Sequence, residues 1–203
     1  LKNLSIIPGR GVTKLVVEDM NVMLDHMKGL IPFIAGSMKG EMTGEFSYDN
    51  KLLSARIAIK NGTFGEKGAV INGLNETFVI NSGVMAKENI SVNIMGNPAK
   101  VSIATTDRKF MKFALNIDAP KLKIDTGETK TYSDPTGYLL KDTGMEVSGR
   151  ISIGEASIGQ TNIHDTQVYY RLQQGKVLIN RFTSKMHSGQ IMGAGRISPK
   201  KRD

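Results

Sequence analysis

The chain has 203 residues, of which 39% are hydrophobic, and a formal net charge of +8. This composition is that of a globular protein and excludes a disordered chain. The absence of cysteine excludes a disulfide scaffold, a Cys-ligated zinc site and a cysteine nucleophile. No segment approaches the ~18 consecutive apolar residues of a transmembrane helix, and the first residues lack the apolar core of a signal peptide. We therefore expect a fragment or a processed form whose anchor lies outside this sequence.

The first element predicted in chain order is a short N-terminal helix in VEDMNVMLDHMKGLIPF. Its apolar residues are spaced by three or four positions, at Val16, Met20, Met23 and Met27 and then at position 30 or 31. This spacing predicts one apolar helical face, and Pro32 prevents the helix from continuing.

From Gly36 onward the apolar residues alternate with polar ones, which predicts half-buried β-strands. Turn signals such as Asn61-Gly62 and Gln174-Gly175 separate the strands, as in an antiparallel meander. In the last hairpin the alternation places Val177 and Ile179 on one face and Phe182 on the other.

The predicted fold class is mainly β, with a long antiparallel, curved sheet that forms a groove or an open sandwich. Residues 1–125 are expected to hold the helix and an antiparallel β array. Residues 126–145 have no period and are rich in Thr, Gly, Asp and Lys, which predicts a mobile loop. Residues 146–203 are expected to complete the same sheet.

The glycine-rich run SGQIMGAGRI, residues 188–197, fails as a phosphate-binding loop. A Walker loop needs Lys and then Ser or Thr after its last glycine, and a dinucleotide fingerprint needs a helix after it. The glycines are interpreted instead as bends and close-packing points of a strand. A Gly193→Val change is therefore expected to disrupt the fold sterically.

No other pattern predicts catalysis. The three histidines, His26, His164 and His187, lack the spacing of metal ligands, and no serine lies in a nucleophile-elbow pattern. No pair of acids suggests glycosidase chemistry. The sequence therefore predicts no enzyme, no cofactor and no metal.

The basic charge suits nucleic acid or anionic lipid, but the aromatic platform of a nucleic-acid-binding sheet is missing, so no nucleic-acid partner is predicted. What remains is a one-sided aliphatic sheet. Its apolar face is compatible with a groove for acyl chains and equally with an ordinary closed core. The groove candidates share apolar character and strand alternation; they are Ile90, Val92, Ile94, Val101, Ile103, Met111, Phe113, Leu115, Ile117, Val168, Tyr170, Leu172, Val177 and Ile179.

Three segments resemble the AsmA-like family. LDHMKGLIPFIAGSMKGEMTGEF is similar to its helix, proline and Gly-flanked strand, and FALNIDAPKLKID to a strand that follows. The closest resemblance is VSGRISIGEASIGQTNIHDTQVYYRLQQGKVLINRFTSKMHSGQIMGAGRI. Its matching positions are small, aliphatic or acidic: Gly149, Ile151, Ile153, Ile163, Asp165, Val168, Leu172, Gly175, Val177, Ile179, Gly189, Ile191, Gly193 and Ile197. Two positions depart from the family pattern, Ser188 in place of a glycine and Gln174 in place of an acid.

The resemblance implies a β-taco or elongated β-groove without catalytic residues. It also implies a periplasmic location, as part of a larger chain anchored in the inner membrane of a diderm bacterium. The implied role is movement of phospholipid between the inner and outer membranes, or support of outer-membrane protein assembly.

Two alternatives stay open at this point. The same sheet could be closed and serve as a structural or interaction module that docks an outer-membrane assembly partner. A hydrolytic enzyme would require a histidine and two carboxylates that converge in a pocket.

Overall fold

The computed structural model describes residues 3–9, 12–27, 37–49, 52–66, 69–109, 111–124 and 144–198. In these residues twelve strands form one sheet, and their order in the sheet is their order in the chain. The strands are β1 Asn3–Gly9, β2 Val12–Met23, β3 Ser37–Asp49, β4 Leu52–Glu66, β5 Ala69–Ile80, β6 Ala86–Ile94, β7 Asn97–Thr105, β8 Lys112–Ile124, β9 Glu146–Ile158, β10 Thr161–Gln173, β11 Lys176–Met186 and β12 Gly189–Ile197. The prediction of a mainly β fold is confirmed, and the predicted antiparallel pairing holds for all neighbouring strands in these residues except β8 and β9.

One pair of neighbouring strands departs from the predicted meander. β8 and β9 are parallel, with Phe113 opposite Val147 and Ile117 opposite Ile151. Parallel neighbours cannot be joined by a tight turn and need a crossover of a dozen or more residues. The predicted loop 126–145 stands in this connection, but apart from Gly144 and Met145 it lies outside the described residues.

The predicted N-terminal helix is wrong. Residues 12–23 form β2, and only Leu24–Met27 form a short 3-10 helix; residues 28–31 lie outside the described part. The physical reason is a β-bulge between Val17 and Met20, where Asp19 has a φ of 50°. A bulge inserts one extra residue, so Val17 and Met20 share the buried side although they are three positions apart. Val16 and Met23, which the predicted helical face included, lie on the other side, and Met23 is 49% exposed.

Asn61-Gly62 is not a turn either. It lies inside β4, at a register shift between Ile59 and Gly62, and Asn61 has a φ of 52°. Asn tolerates the left-handed region better than other non-glycine residues, which suits it to a bulge as well as to a turn. The predicted turn at Gln174-Gly175 is confirmed, with a positive φ at both residues, as the type I′ turn of a two-residue hairpin requires.

A third bulge places Phe182 on the other side of the sheet from the one predicted. β11 and β12 shift register between Ile179 and Phe182. On the other side of β11, Ile179 is opposite Tyr170 and Phe182 is opposite Val168. Phe182 therefore shares the face of Val177 and Ile179, contrary to the uninterrupted alternation that the sequence predicts.

The buried core lies on one side of β2 to β8. It comprises three clusters of buried side chains: the first on β2, the 3-10 helix and β3, the second on β4 and β5 with Met85 just before β6, and the third on β6 to β8. The half-buried Phe46 and Ile57 pack against the first two, and Phe78 and Ile103 against the last two. Leu24, in the 3-10 helix, is 2% exposed and belongs to the first cluster. The clusters thus follow one another along a single layer of sheet.

Candidate functional site

The candidate site is one continuous side of the sheet, which we call the apolar face. It is the side that carries Val17, Ile57, Ile103, Ile117 and Val168, together with the residues aligned with them across the strands. Directly opposed residues on neighbouring strands point to the same side. A row can be followed through these pairs: Val101 opposite Ile117, Ile117 opposite Ile151, and Ile151 opposite Val168.

All the predicted groove residues except Met111 lie in strands on the apolar face, by this register. Met111 precedes β8 and is 37% exposed. Ile90, Val92 and Phe113 are buried core residues. The remaining candidates are half-buried: Ile94, Val101, Ile103, Leu115, Ile117, Val168, Tyr170, Leu172, Val177 and Ile179.

Several residues of the apolar face are absent from that prediction. Met20, Met38 and Met42 belong to the first core cluster, and Phe78 packs in the later two. The bulge at Asp19 interrupts the alternation before Met20, so a pattern that allows one extra residue at Asp is needed to place Met20 on this side. Met38 and Met42 follow the plain strand alternation, and the register shift opposite Gly40 comes from the extra residue in β4.

Burial differs between the two halves of the apolar face. The buried hydrophobic residues are concentrated on β2 to β8, whereas on β9 to β11 the aligned side chains Val147, Ile151, Ile153, Ile179 and Phe182 are all half-buried. The C-terminal half therefore presents aliphatic surface that is still accessible.

Tyr170 closes the junction between the parallel strands. Its hydroxyl donates to the carbonyl oxygen of Leu115, 3.0 Å away and two strands across. Gly149 lies opposite Tyr170, on the strand between them. The ladder between β8 and β9 has no paired residues at Leu115 and Asn116. There the backbone N–H of Arg150 donates to Oδ1 of Asn116 at 3.0 Å. Side chains thus replace backbone pairing at this point.

The environment of Tyr170 is apolar enough to change its acidity. Burial disfavours the charged phenolate and raises the pKa of Tyr170 to about 12. Tyr170 is therefore a neutral hydrogen-bond donor that links β10 to β8 at the junction of the parallel strands, and its side chain also lines the apolar face.

Two ion pairs stand among the aliphatic residues of the apolar face. Glu76 alternates with Leu74 and Phe78 on β5, and its Oε2 lies 2.7 Å from Nζ of Lys87. Lys121 and Glu155 are opposed across the parallel junction, with 3.1 Å between Nζ and Oε2. Pairing compensates each charge on a partly desolvated surface.

A buried hydroxyl pair lies on the C-terminal half. Thr166 Oγ1 and Ser184 Oγ are 2.8 Å apart, and Ser184 donates to the carbonyl oxygen of His164 at 3.2 Å. Because Ser184 uses its proton there, Thr166 is the donor within the pair. Ser184 is 1% exposed, so this network fixes the position of β11 on β10.

The opposite side of the sheet is polar. Arg150 bridges the parallel strands to Asp118 at 3.2 Å, and Glu146 contacts both Lys112 at 3.6 Å and Arg171 at 3.4 Å. These pairs are partly exposed and contribute little each. Their charges show which side of the sheet faces water.

The described part of the chain contains no cluster of metal-ligating side chains. In residues 3–9, 12–27, 37–49, 52–66, 69–109, 111–124 and 144–198, no three His, Asp or Glu side chains lie close enough to hold a metal ion. His164 and His187 are exposed, and the side chain of His26 lies outside the described part. Over those same ranges no helix is long and apolar enough to cross a membrane.

The described part of the chain is thus an open, single-sheet β structure with one aliphatic and one polar side. No family model matches the sequence, and no curated protein or solved structure matches it either.

Proposed function

We propose that this chain is a non-enzymatic β module whose apolar face binds the acyl chains of phospholipids. The observation that carries the proposal is the half-exposed aliphatic surface of β9 to β11, continuous in register with the buried clusters of β2 to β8. Aliphatic side chains whose few polar neighbours are paired with one another favour an apolar ligand over a polar substrate.

The energetics suit a ligand that slides along the face. Burial of each methylene contributes ~0.8 kcal/mol in proportion to area and without directional preference. A ligand bound in this way can shift across the strands, along the apolar face, without breaking specific hydrogen bonds. This is the property required of a conduit.

In the proposed form the sheet is curved, with the apolar face on its concave side, as in a β-groove. The described strands form one layer, yet Val17 and Met38 are each 2% exposed and Ile90 is 3% exposed. Such complete burial within one layer supports a curved sheet. Curvature of that layer brings neighbouring side chains together, and the bulges at Asp19 and Asn61 are devices that bend and twist strands.

We place this activity in an AsmA-like setting, as part of the same proposal. The chain would be a section of a larger protein anchored in the inner membrane of a diderm bacterium. Its section of groove would lie in the periplasm and would conduct phospholipid between the two membranes or support outer-membrane assembly. The alternating strands and the absence of catalytic motifs in the sequence support this setting.

The test compares two adjacent positions of β11. Ile179 lies on the apolar face, opposite Tyr170, and Leu178 lies on the polar side, opposite Arg171; both are half-buried. A photoreactive benzoylphenylalanine is placed at one or the other. Each variant is irradiated with vesicles of phosphatidylethanolamine and phosphatidylglycerol that contain a radiolabelled phospholipid.

The expected result is lipid labelling at position 179 several-fold above that at position 178. Equal labelling at both positions would indicate contact with the vesicle surface only and would contradict the proposal. Absence of lipid labelling at either position, with a folded protein, would favour the closed module that docks a protein partner.

A further inference from the structure

The second edge of the sheet, β12, has an unusual composition. All nine of its residues, Gly189–Ile197, are exposed, and β11 is its only neighbour among the described strands. An edge strand presents a row of unpaired backbone N–H and C=O groups, and proteins normally protect such edges with Pro, Lys or inward-pointing charges. β1, the opposite edge, contains Pro8. β12 contains neither Pro nor Lys, and Arg196 is its one charged residue.

The sequence of β12 is sterically self-complementary about Gly193. If two β12 strands pair antiparallel with Gly193 opposite Gly193 of the second copy, each large apolar residue meets a small one. Ile191 faces Gly195, Met192 faces Ala194, and Ile197 faces Gly189. Moving the centre of pairing to Met192 or to Ala194 instead sets Met192 against itself or Ile191 against Ile197.

We propose that β12 pairs with β12 of a second copy of this chain and joins the two sheets into one. The pairing is isologous, because the same strand serves on both sides of a two-fold axis, so it closes as a dimer. Opposed residues point to the same side of a sheet, so the two apolar faces become continuous. A Cβ placed at Gly193 or Gly195 would meet no atom within 4 Å, which leaves room for Ile191 of the second copy.

This proposal does not depend on lipid binding. Dimerisation through β12 would hold whether or not the apolar face takes up acyl chains, and the two experiments fail separately.

The absence of cysteine from the chain permits a direct test. In the proposed register, residue 193 is opposite itself, with a Cα separation of about 5 Å, inside the range that a disulfide spans. Residue 195 of one copy is about 13 Å along the strand from residue 195 of the other, which is too far. Gly193→Cys and Gly195→Cys are therefore matched variants, since both sites are open and both lie on the same exposed strand.

Under mild oxidation we expect Gly193→Cys to form a covalent dimer at least ten-fold faster than Gly195→Cys. Sedimentation equilibrium of the unmodified chain is expected to show a monomer–dimer equilibrium. Gly193→Lys, which opposes like charges at the centre of the pairing, is expected to weaken dimerisation at least ten-fold. Gly193→Ala should leave it intact.

Three results would overturn the proposal. The chain could remain a monomer at every concentration, or the two cysteine variants could crosslink at equal rates. It could also form open-ended polymers, which would indicate pairing of β12 with β1 of the next copy.

Discussion

The junction of the two parallel strands offers the sharpest test of the structure, through the substitution Gly149→Ala. A Cβ at Gly149 would lie 2.7 Å from the carbonyl carbon of Leu115 and would overlap its oxygen. That oxygen cannot move away freely, because it accepts the hydrogen bond from Tyr170. The backbone next to Gly149 is also held in place, since the N–H of Arg150 donates a hydrogen bond to the side chain of Asn116. One methyl group must therefore separate the two strands.

The expected loss in the free energy of unfolding follows from two effects. Forced displacement of a well-packed backbone costs about 1–3 kcal/mol. Loss of the Tyr170 hydrogen bond adds about 1 kcal/mol. We expect Gly149→Ala to lower the free energy of unfolding by about 3 kcal/mol, with a fall in Tm of about 6–12 °C for a chain of this size.

Gly193→Ala is the matched control. A Cβ at Gly193 meets nothing within 4 Å, so the interpretation of Gly193 as a close-packing point is wrong. The expected change is within about 0.5 kcal/mol, and Gly193→Val should be tolerated sterically as well. Urea unfolding followed by circular dichroism compares the two alanine variants with the parent chain. A Gly149→Ala variant as stable as Gly193→Ala would refute the steric argument.

Three further predictions concern buried or strained groups. The folded state holds the proton of Tyr170 more tightly than the unfolded chain, so the free energy of unfolding should fall as the pH rises from 10 towards 12. In a series of urea midpoints, Tyr170→Phe should reduce this dependence on pH. An equal dependence in both proteins would contradict the raised pKa of Tyr170. Ser184→Ala should destabilise more than Thr166→Val, by about 1 kcal/mol, because it leaves the Thr166 hydroxyl without an acceptor; equal urea midpoints would indicate a different network. Asp19→Val should cost about 1–2 kcal/mol, since Asp19 has a φ of 50°, whereas Asp19→Gly should be tolerated; thermal unfolding with indistinguishable Tm values would exclude strain at the bulge.

The strand character of most of the chain was predictable, because between bulges the side-chain period of a strand is two. β8 shows this well: Phe113, Leu115 and Ile117 alternate without interruption, and the register places them together on the apolar face. The exposure of β12, which has β11 as its one neighbour among the described strands, was not predictable, since its glycines are equally compatible with close-packing points. Their surroundings are set by the strands that lie beside them, which local sequence does not reveal.

The parallel junction was hidden from the sequence for a different reason. Strand alternation is the same in parallel and antiparallel pairs, so β8 and β9 carry no period that distinguishes them. The informative residues are single positions: Gly149, where no Cβ fits, and Tyr170, whose hydroxyl reaches across it. A glycine opposed by a tyrosine on an otherwise aliphatic face is a local signal of irregular pairing, although it does not identify the neighbouring strand.

Bulges explain most of what the alternation mispredicted, and they also explain why the apolar face is continuous. In a long strand that twists and bends, every second side chain cannot stay on the same side of the sheet along the whole length. An extra residue restores the alignment of these side chains with those of the neighbouring strand. At Asp19, Asn61 and Asn89 that residue has a positive φ, which short polar side chains tolerate. At Asn180 the same correction turns Phe182 towards Val168. Each interruption of the pattern in the sequence is thus a point at which the structure keeps its aliphatic residues on one side.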